Sequence, residues 1–212
     1  MIYLTSDTHW GHKKILEYCS RPFSSIGEMD EKLIENWNKV VSSKDTVYHL
    51  GDFGFGKYEM LLSIFKRLKG QIIICKGNHD TEAIKLPWVS KHDLYELKAN
   101  GNVYQLCHYP LRSWNKSVHG SRMCHGHCHG TLSPLGYSCD VGVDCWDFAP
   151  VSLEQLEELF KKLSRDGKGT PMPKGTIWNA KRHMDYGFSD FFIGDGSLDK
   201  VDPDELFEKE IK

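Results

Sequence analysis

The sequence predicts an α/β fold: a sheet with parallel crossovers and helices on its faces, followed by a half with more antiparallel character. Three observations lead there. Short apolar, β-branched runs end abruptly in loops of Gly, Asp, Asn and His. Stretches with helical spacing separate those runs through residue 80, in the order β-α-α-β-α-β. Beyond residue 90, strand-like runs flank Ala99-Asn100-Gly101, a hairpin signal.

Ile2 to Thr5 reads as the first strand and runs into Ser6-Asp7-Thr8-His9-Trp10-Gly11-His12. Asp7 and His9 are two apart, so an extended segment points both to one side. A carboxylate and an imidazole so placed can hold one divalent cation; otherwise this is a solvated loop. Lys13 to Cys19 is expected as a short helix. Ser20 to Ser24 is a loop, because Pro22 restricts Arg21 to extended backbone. Met29, Leu33, Ile34, Trp37, Val40 and Val41 then recur at helical spacing, with Trp37 in the core and Asn38 open to either reading.

Thr46 to Leu50 is the second strand and ends in Gly51-Asp52-Phe53-Gly54-Phe55-Gly56, so Asp52 occupies the place that Asp7 occupies after the first. His49 is expected as a core histidine with its hydrogen bonds satisfied. Met60, Leu61, Ile64, Phe65 and Leu68 form another amphipathic helix, stopped by Gly70. Ile72-Ile73-Ile74-Cys75 is a buried strand that breaks into Lys76-Gly77-Asn78-His79-Asp80. Loops at the carboxyl ends of strands are where open α/β sheets place ligands.

In the second half, 92–98 and 102–107 are expected strands, the latter ending in His108-Tyr109-Pro110. Arg122-Met123-Cys124 leads into His125-Gly126-His127-Cys128-His129-Gly130, and 138–143 is a further strand. Leu153, Leu156, Leu159, Phe160 and Leu163 form a helix opened by Ser152 with Gln155 three residues on, a capping box. Residues 1–164 read as one domain and 165–212 as a C-terminal extension of weak periodicity, loosely packed on it.

Composition narrows the class. Of 212 residues 40% are hydrophobic and 26% charged, as in a soluble globule, and a net charge of -2 does not point to general nucleic-acid affinity. No apolar run reaches membrane-spanning length, and the first residues lack a signal-peptide pattern. Seven cysteines, several beside histidines, are expected as reduced thiols of a cytoplasmic protein.

The strand-end residues Asp7, His9, Asp52, Asn78, His79, His108, His127 and His129 mix oxygen and nitrogen donors without thiolate. That set suits Mn, Fe, Co, Ni or Zn better than Ca. It is too large for one ion and about right for two that share a carboxylate.

The order Asp7-x-His9, Gly51-Asp52, Gly77-Asn78-His79-Asp80, His108, Gly126-His127-Cys128-His129 resembles the calcineurin-like metallophosphoesterase superfamily over about residues 1–160. Asp7-Thr8-His9-Trp10-Gly11-His12, Arg21-Pro22-Phe23, Trp37-Asn38, His108-Tyr109-Pro110-Leu111 and Val141-Gly142-Val143-Asp144 resemble its compact bacterial and phage branch. The resemblance implies a four-layer fold, a β-sandwich of two mixed sheets flanked by helices, with two divalent transition-metal ions, Mn²⁺ foremost, at the strand ends. By the same resemblance Asp7, His9 and His129 hold one metal, Asn78, His108 and His127 the other, and Asp52 bridges. A metal-bridging hydroxide then attacks a phosphoester, most readily a small nucleotide-like diester. Phosphomonoesterase, nuclease and non-catalytic scaffold are the alternatives.

His79 then contacts the phosphate and protonates the leaving oxygen. Some relatives orient this histidine with an acid a few residues past the bridging Asp. Phe53-Gly54-Phe55-Gly56 carries none, so either Asp80 substitutes or nothing does. His12 is either a substrate contact beside the first metal or the exposed start of a helix. Arg21 either grips a phosphate oxygen pair or is a surface residue. Asn78 touches substrate as well as metal. Tyr109, Arg112 and Trp114 line a pocket wall or pack. A separate zinc site at Cys124 and Cys128 is disfavoured, because His127 and His129 are already assigned; Cys128 is expected as a small buried side chain.

Overall fold

A computed structural model describes residues 1–132, 134 and 136–163, so the expected boundary at 164 and the extension 165–212 lie outside the described residues. The strands are β1 (Ile2–Thr5), β2 (Thr46–His49), β3 (Gln71–Cys75), β4 (Lys91–His92), β5 (Leu94–Ala99), β6 (Asn102–Cys107), β7 (Arg122–His125), β8 (Ser138–Asp140) and β9 (Val151–Ser152). The α-helices are α1 (Ile15–Tyr18), α2 (Ile26–Val40), α3 (Tyr58–Phe65) and α4 (Leu153–Lys162). Two mixed sheets result, in the orders β4-β3-β2-β1-β9 and β5-β6-β7-β8.

β1 to β4 are parallel neighbours in the first sheet, with β9 antiparallel at its edge. In the second sheet β5 and β6 form the expected hairpin, and β6, β7 and β8 run parallel. Alternation along each strand sorts the core. Tyr3, Val47, Ile72 and Ile74 face the helices, where Met29, Leu33, Trp37, Leu61 and Ile64 complete one apolar cluster. Leu4, Tyr48 and Cys75 point the other way, onto Tyr104, Leu106, Cys124 and Cys139 of the second sheet. α4 adds Leu153, Leu156, Leu159 and Phe160 to that same cluster, and its capping box forms as expected.

The run 92–98 is two strands, not one: His92 ends β4 in the first sheet and Leu94 starts β5 in the second. Periodicity shows which side chains share a face, but it cannot show a strand changing sheets at a sandwich corner. The two-residue β9 also carries no periodic signal. Trp37 is buried and donates Nε1–H to the Lys69 carbonyl, and Asn38 clasps the turn after α3 through Arg67 and Lys69. All seven cysteines are free, and no described helix is long and apolar enough to cross a membrane.

Candidate metal centre

Parallel pairing of β1, β2 and β3 sends their carboxyl ends to one side, and β6 and β7 deliver theirs to the same place. Backbone bonds zip the loops together: Asp7 N–H donates to Gly51 O (3.0 Å), His9 N–H to Asp52 O (3.1 Å) and Trp10 N–H to Phe53 O (3.0 Å). Ser6 bridges to Gly142 beyond β8, and His127 N–H reaches Asp7 Oδ2 at 2.9 Å, which joins the two sheets across the site. The loops are held in costly shapes. Asp7, His9, Asp52, His127 and His129 all have left-handed backbone, with φ between 46° and 71°. Such strain in non-glycine residues persists where surrounding structure over-determines it, and it clusters at functional sites.

Two trios of donors converge. Asp7, His9 and His129 bring ligand atoms within 4.8 Å of one another, and so do Asp52, His108 and His127. Asp52 Oδ2 lies 3.7 Å from His9 Nε2 and 3.5 Å from His108 Nε2, between the trios. Asn78 Oδ1 lies 2.8 Å from His108 Nε2. Asp52 Oδ1 meanwhile accepts the His79 N–H at 2.9 Å.

The donor chemistry fits cations at these places. His9 is buried, yet neither ring nitrogen has a hydrogen-bond partner. Burial of an unpaired polar atom is costly, and a metal ion removes the cost. His108 has the opposite problem. Burial lowers its pKa to about 4, so it is neutral with one N–H, but both ring nitrogens face oxygens that only accept: Leu50 O at 2.8 Å and Asn78 Oδ1. A cation bound by Nε2 and Asn78 would resolve that conflict, with Leu50 holding the Nδ1–H tautomer. Burial also raises both Asp7 and Asp52 above the usual carboxylate range, a shift that a nearby divalent ion reverses.

Outer contacts orient the donors. His129 Nδ1 meets Asp144 Oδ2 at 2.7 Å. Burial alone would lower His129, but Cys19, Asp7 and Asp144 outweigh it and raise its pKa well above the ordinary value. Asp80 accepts backbone N–H groups from Gly77 (2.7 Å), Asp52 (2.9 Å) and Phe53 (2.8 Å). Its buried carboxylate therefore braces the two loops.

Arg21 departs further. Its side chain is wholly buried and grips Asp144 with two bonds of 2.8 Å, while its remaining donors reach Asp7 O (2.7 Å) and Thr8 O (3.1 Å). The guanidinium supports the ligand loop from beneath, so the expected phosphate grip gives way to a scaffolding role. His12 lies beside the first trio, its ring centroid 5.5 Å from that of His9. His79 stands 5.8 Å from His9 by the same measure. Tyr109 is 44% exposed and packs edge-on against His108 and His127, 4.9 Å from each. Trp114 donates to Ser121 O within its own loop and Arg112 is exposed; Cys128 is half-buried rather than buried. His49 bonds Thr8 Oγ1 through Nε2 (3.0 Å), but its Nδ1 has no partner, so only one of its two nitrogens is satisfied.

Sequence reasoning did not assign Asp144, Cys19 or Asp140, whose carboxylate accepts from Gly130 and Gly142. Asp144 closes a motif it had noted, Val141-Gly142-Val143-Asp144, but nothing local in that motif shows its pairing with Arg21.

A family model described as calcineurin-like phosphoesterase matches residues 1–168. An uncharacterized protein of Methanocaldococcus jannaschii is 36% identical over 170 residues, covering 76% of this chain and 92% of that protein. The gene 66 protein of Mycobacterium phage L5 is 28% identical, covering 77% of this chain and 96% of the phage protein. A crystal structure from Aquifex aeolicus, described as a protein of unknown function, superposes with a TM-score of 0.61 at 26% identity, over 75% of this chain and 98% of that one.

Proposed function

The chain belongs to the calcineurin-like phosphoesterase family and is a metal-dependent phosphoric ester hydrolase, and on that premise we propose that it cleaves a small, nucleotide-like phosphodiester at a centre of two divalent cations. Asp7, His9 and His129 would hold one cation, Asn78, His108 and His127 the other, and Asp52 would serve both. Mn²⁺ suits this mixed oxygen and nitrogen set best, with Fe, Zn, Ni and Co compatible. The observation that carries the reading is the Asp52 carboxylate, with one oxygen 3.7 Å from His9 and 3.5 Å from His108. When bound, such a pair supplies Lewis acidity and an acidified water.

The protein's own residues bind and orient the ester. His79, tied through its N–H to Asp52, gives a ring proton to the leaving oxygen as the P–O bond breaks. Asn78 and His12 contact the phosphoryl group from opposite trios. Tyr109, exposed beside His108 and His127, offers a ring face to a base or aryl group, which supports a nucleotide-like ester. The net charge of -2 weighs against a polyanionic polymer, and seven free thiols support a reducing, cytoplasmic setting.

The test is hydrolysis of a chromogenic phosphodiester beside its monoester on metal-stripped, Mn²⁺-reloaded protein, with Asn78→Ala as control. Diester turnover that needs metal and fails in the control is expected. Monoester preference would redirect the reading to a phosphatase. Bound metal without turnover of either would leave the scaffold.

A further inference from the structure

Phe55 lies three residues beyond Asp52, and its ring touches three imidazoles. Its centroid is 4.2 Å from His12 at an interplanar angle of 21°, 4.6 Å from His79 at 43°, and 5.9 Å from His9 at 19°. The ring is half-buried.

Its base is rigid. Phe55 N–H donates to Trp10 O at 2.8 Å, and Trp10 pairs with Gly54 as an isolated parallel bridge. Trp10 and Phe53 on either side are fully buried. A Cβ on Gly11 would lie 2.6 Å from Phe55 O, and one on Gly54 would lie 2.9 Å from Trp10 O, so the two loops touch backbone to backbone. The ring thus stands as a fixed wall between His12 and His79. An aromatic face holds an imidazole by contact area. A carboxylate in the same place would engage one nitrogen and retain a proton there.

We propose that Phe55 is a positioning residue that sets the His79 and His12 rings over the scissile phosphoester. The inference rests on the reading of His79 as the proton donor given above. In the step concerned, the oxygen of water forms the new bond to phosphorus and the proton it sheds passes to solvent, from which His79 is afterwards reprotonated. The bond from phosphorus to the leaving oxygen breaks, its electron pair stays on that oxygen, and the His79 ring N–H supplies the proton.

Leaving groups of different basicity test this. A 4-nitrophenolate departs without a proton, whereas an alkoxide needs one. Turnover of a 4-nitrophenyl diester and an alkyl diester is to be compared in His79→Gln, Phe55→Leu and Phe55→Tyr. His79→Gln should slow the alkyl ester far more than the nitrophenyl ester. Phe55→Leu should repeat that discrimination in kcat, at about 10- to 100-fold on the alkyl ester, and Phe55→Tyr should recover turnover of the alkyl ester. A second readout needs no metal: in the stripped protein, Phe55→Leu should move the NMR ring-proton signals of His79 and His12 and leave those of His108 in place. Phe55→Met, closer in volume, serves if the leucine variant does not fold. Equal slowing of both esters by the Phe55 variants, or unmoved His79 and His12 signals, overturns the role of Phe55 while His79→Gln keeps its discrimination. Absence of discrimination in His79→Gln overturns the proton-donor reading itself, and the inference with it.

Discussion

His129 and Asp144 meet at 2.7 Å, Nδ1 to Oδ2, and this contact decides which nitrogen of the imidazole faces the first trio of ligands. Asp144 is buried and held ionised: burial opposes ionisation, but Arg21 and His129 hold its carboxyl below the usual range. In the proposed centre the pair would act as a carboxylate-histidine relay behind a cation. Asp144→Asn keeps the shape and removes the charge. Affinity for Mn²⁺ should fall by about 10- to 100-fold, read by competition with a metal-sensitive dye. Unchanged affinity would mean that the contact only shapes the loop.

Arg21 supplies the other half of that buried ion pair. Arg21→Met leaves the buried Asp144 charge with His129 alone, and breaking a buried ion pair typically costs about 3–5 kcal/mol. The urea midpoint should drop accordingly, with little change in KM for the enzyme that remains folded. A preserved midpoint with a raised KM would restore Arg21 to the phosphate.

Much of this site is legible in the sequence because its signal is local. Asp7, His9, Asp52, Asn78 and His108 each lie within four residues of a strand's carboxyl end, so strand ends bring them together. Arg21 and Asp144 are 123 residues apart, and no local pattern distinguishes a buried partner from an exposed arginine. Asp80 is adjacent to His79 in sequence but turns inward to three backbone N–H groups, a choice made by the fold around it. Phe55 reads locally as the absence of an acid, and only the assembled loops show it as a ring among imidazoles. The sheet switch between His92 and Leu94 is hidden for the same reason: periodicity reports faces and not partners.

Gly77 has a steric task. A Cβ there would overlap Asp52, both its Oδ1 and its backbone N, and the backbone N is not a flexible end that can yield. Gly77→Ala should therefore displace the shared carboxylate and weaken metal binding and turnover together. Retained Mn²⁺ content and turnover in Gly77→Ala would show that the loop absorbs the methyl group without moving Asp52.

His49 gives the fold a pH dependence. Burial, with a smaller effect of His108, lowers its pKa to about 3 from an ordinary value near 6.5. Between those values the unfolded chain binds a proton that the folded protein refuses, so stability rises with pH across the window. The contribution is complete above about pH 6.5 and is lost as pH falls, at up to about 1.4 kcal/mol per pH unit. His49→Gln, which keeps a donor for Thr8, should show a shallower fall in urea midpoint between pH 6.5 and 5 than the unmodified protein. Parallel curves would contradict this assignment.

The shared carboxylate is the centre of the account, and metal counting in Asp52→Asn tests it most directly. After reloading and removal of excess ion, the unmodified protein should carry about two Mn²⁺ per chain with the EPR signature of an exchange-coupled pair. Asp52→Asn should lose that signature along with turnover. A coupled pair that survives in Asp52→Asn, with turnover intact, would contradict the bridge and the mechanism built on it.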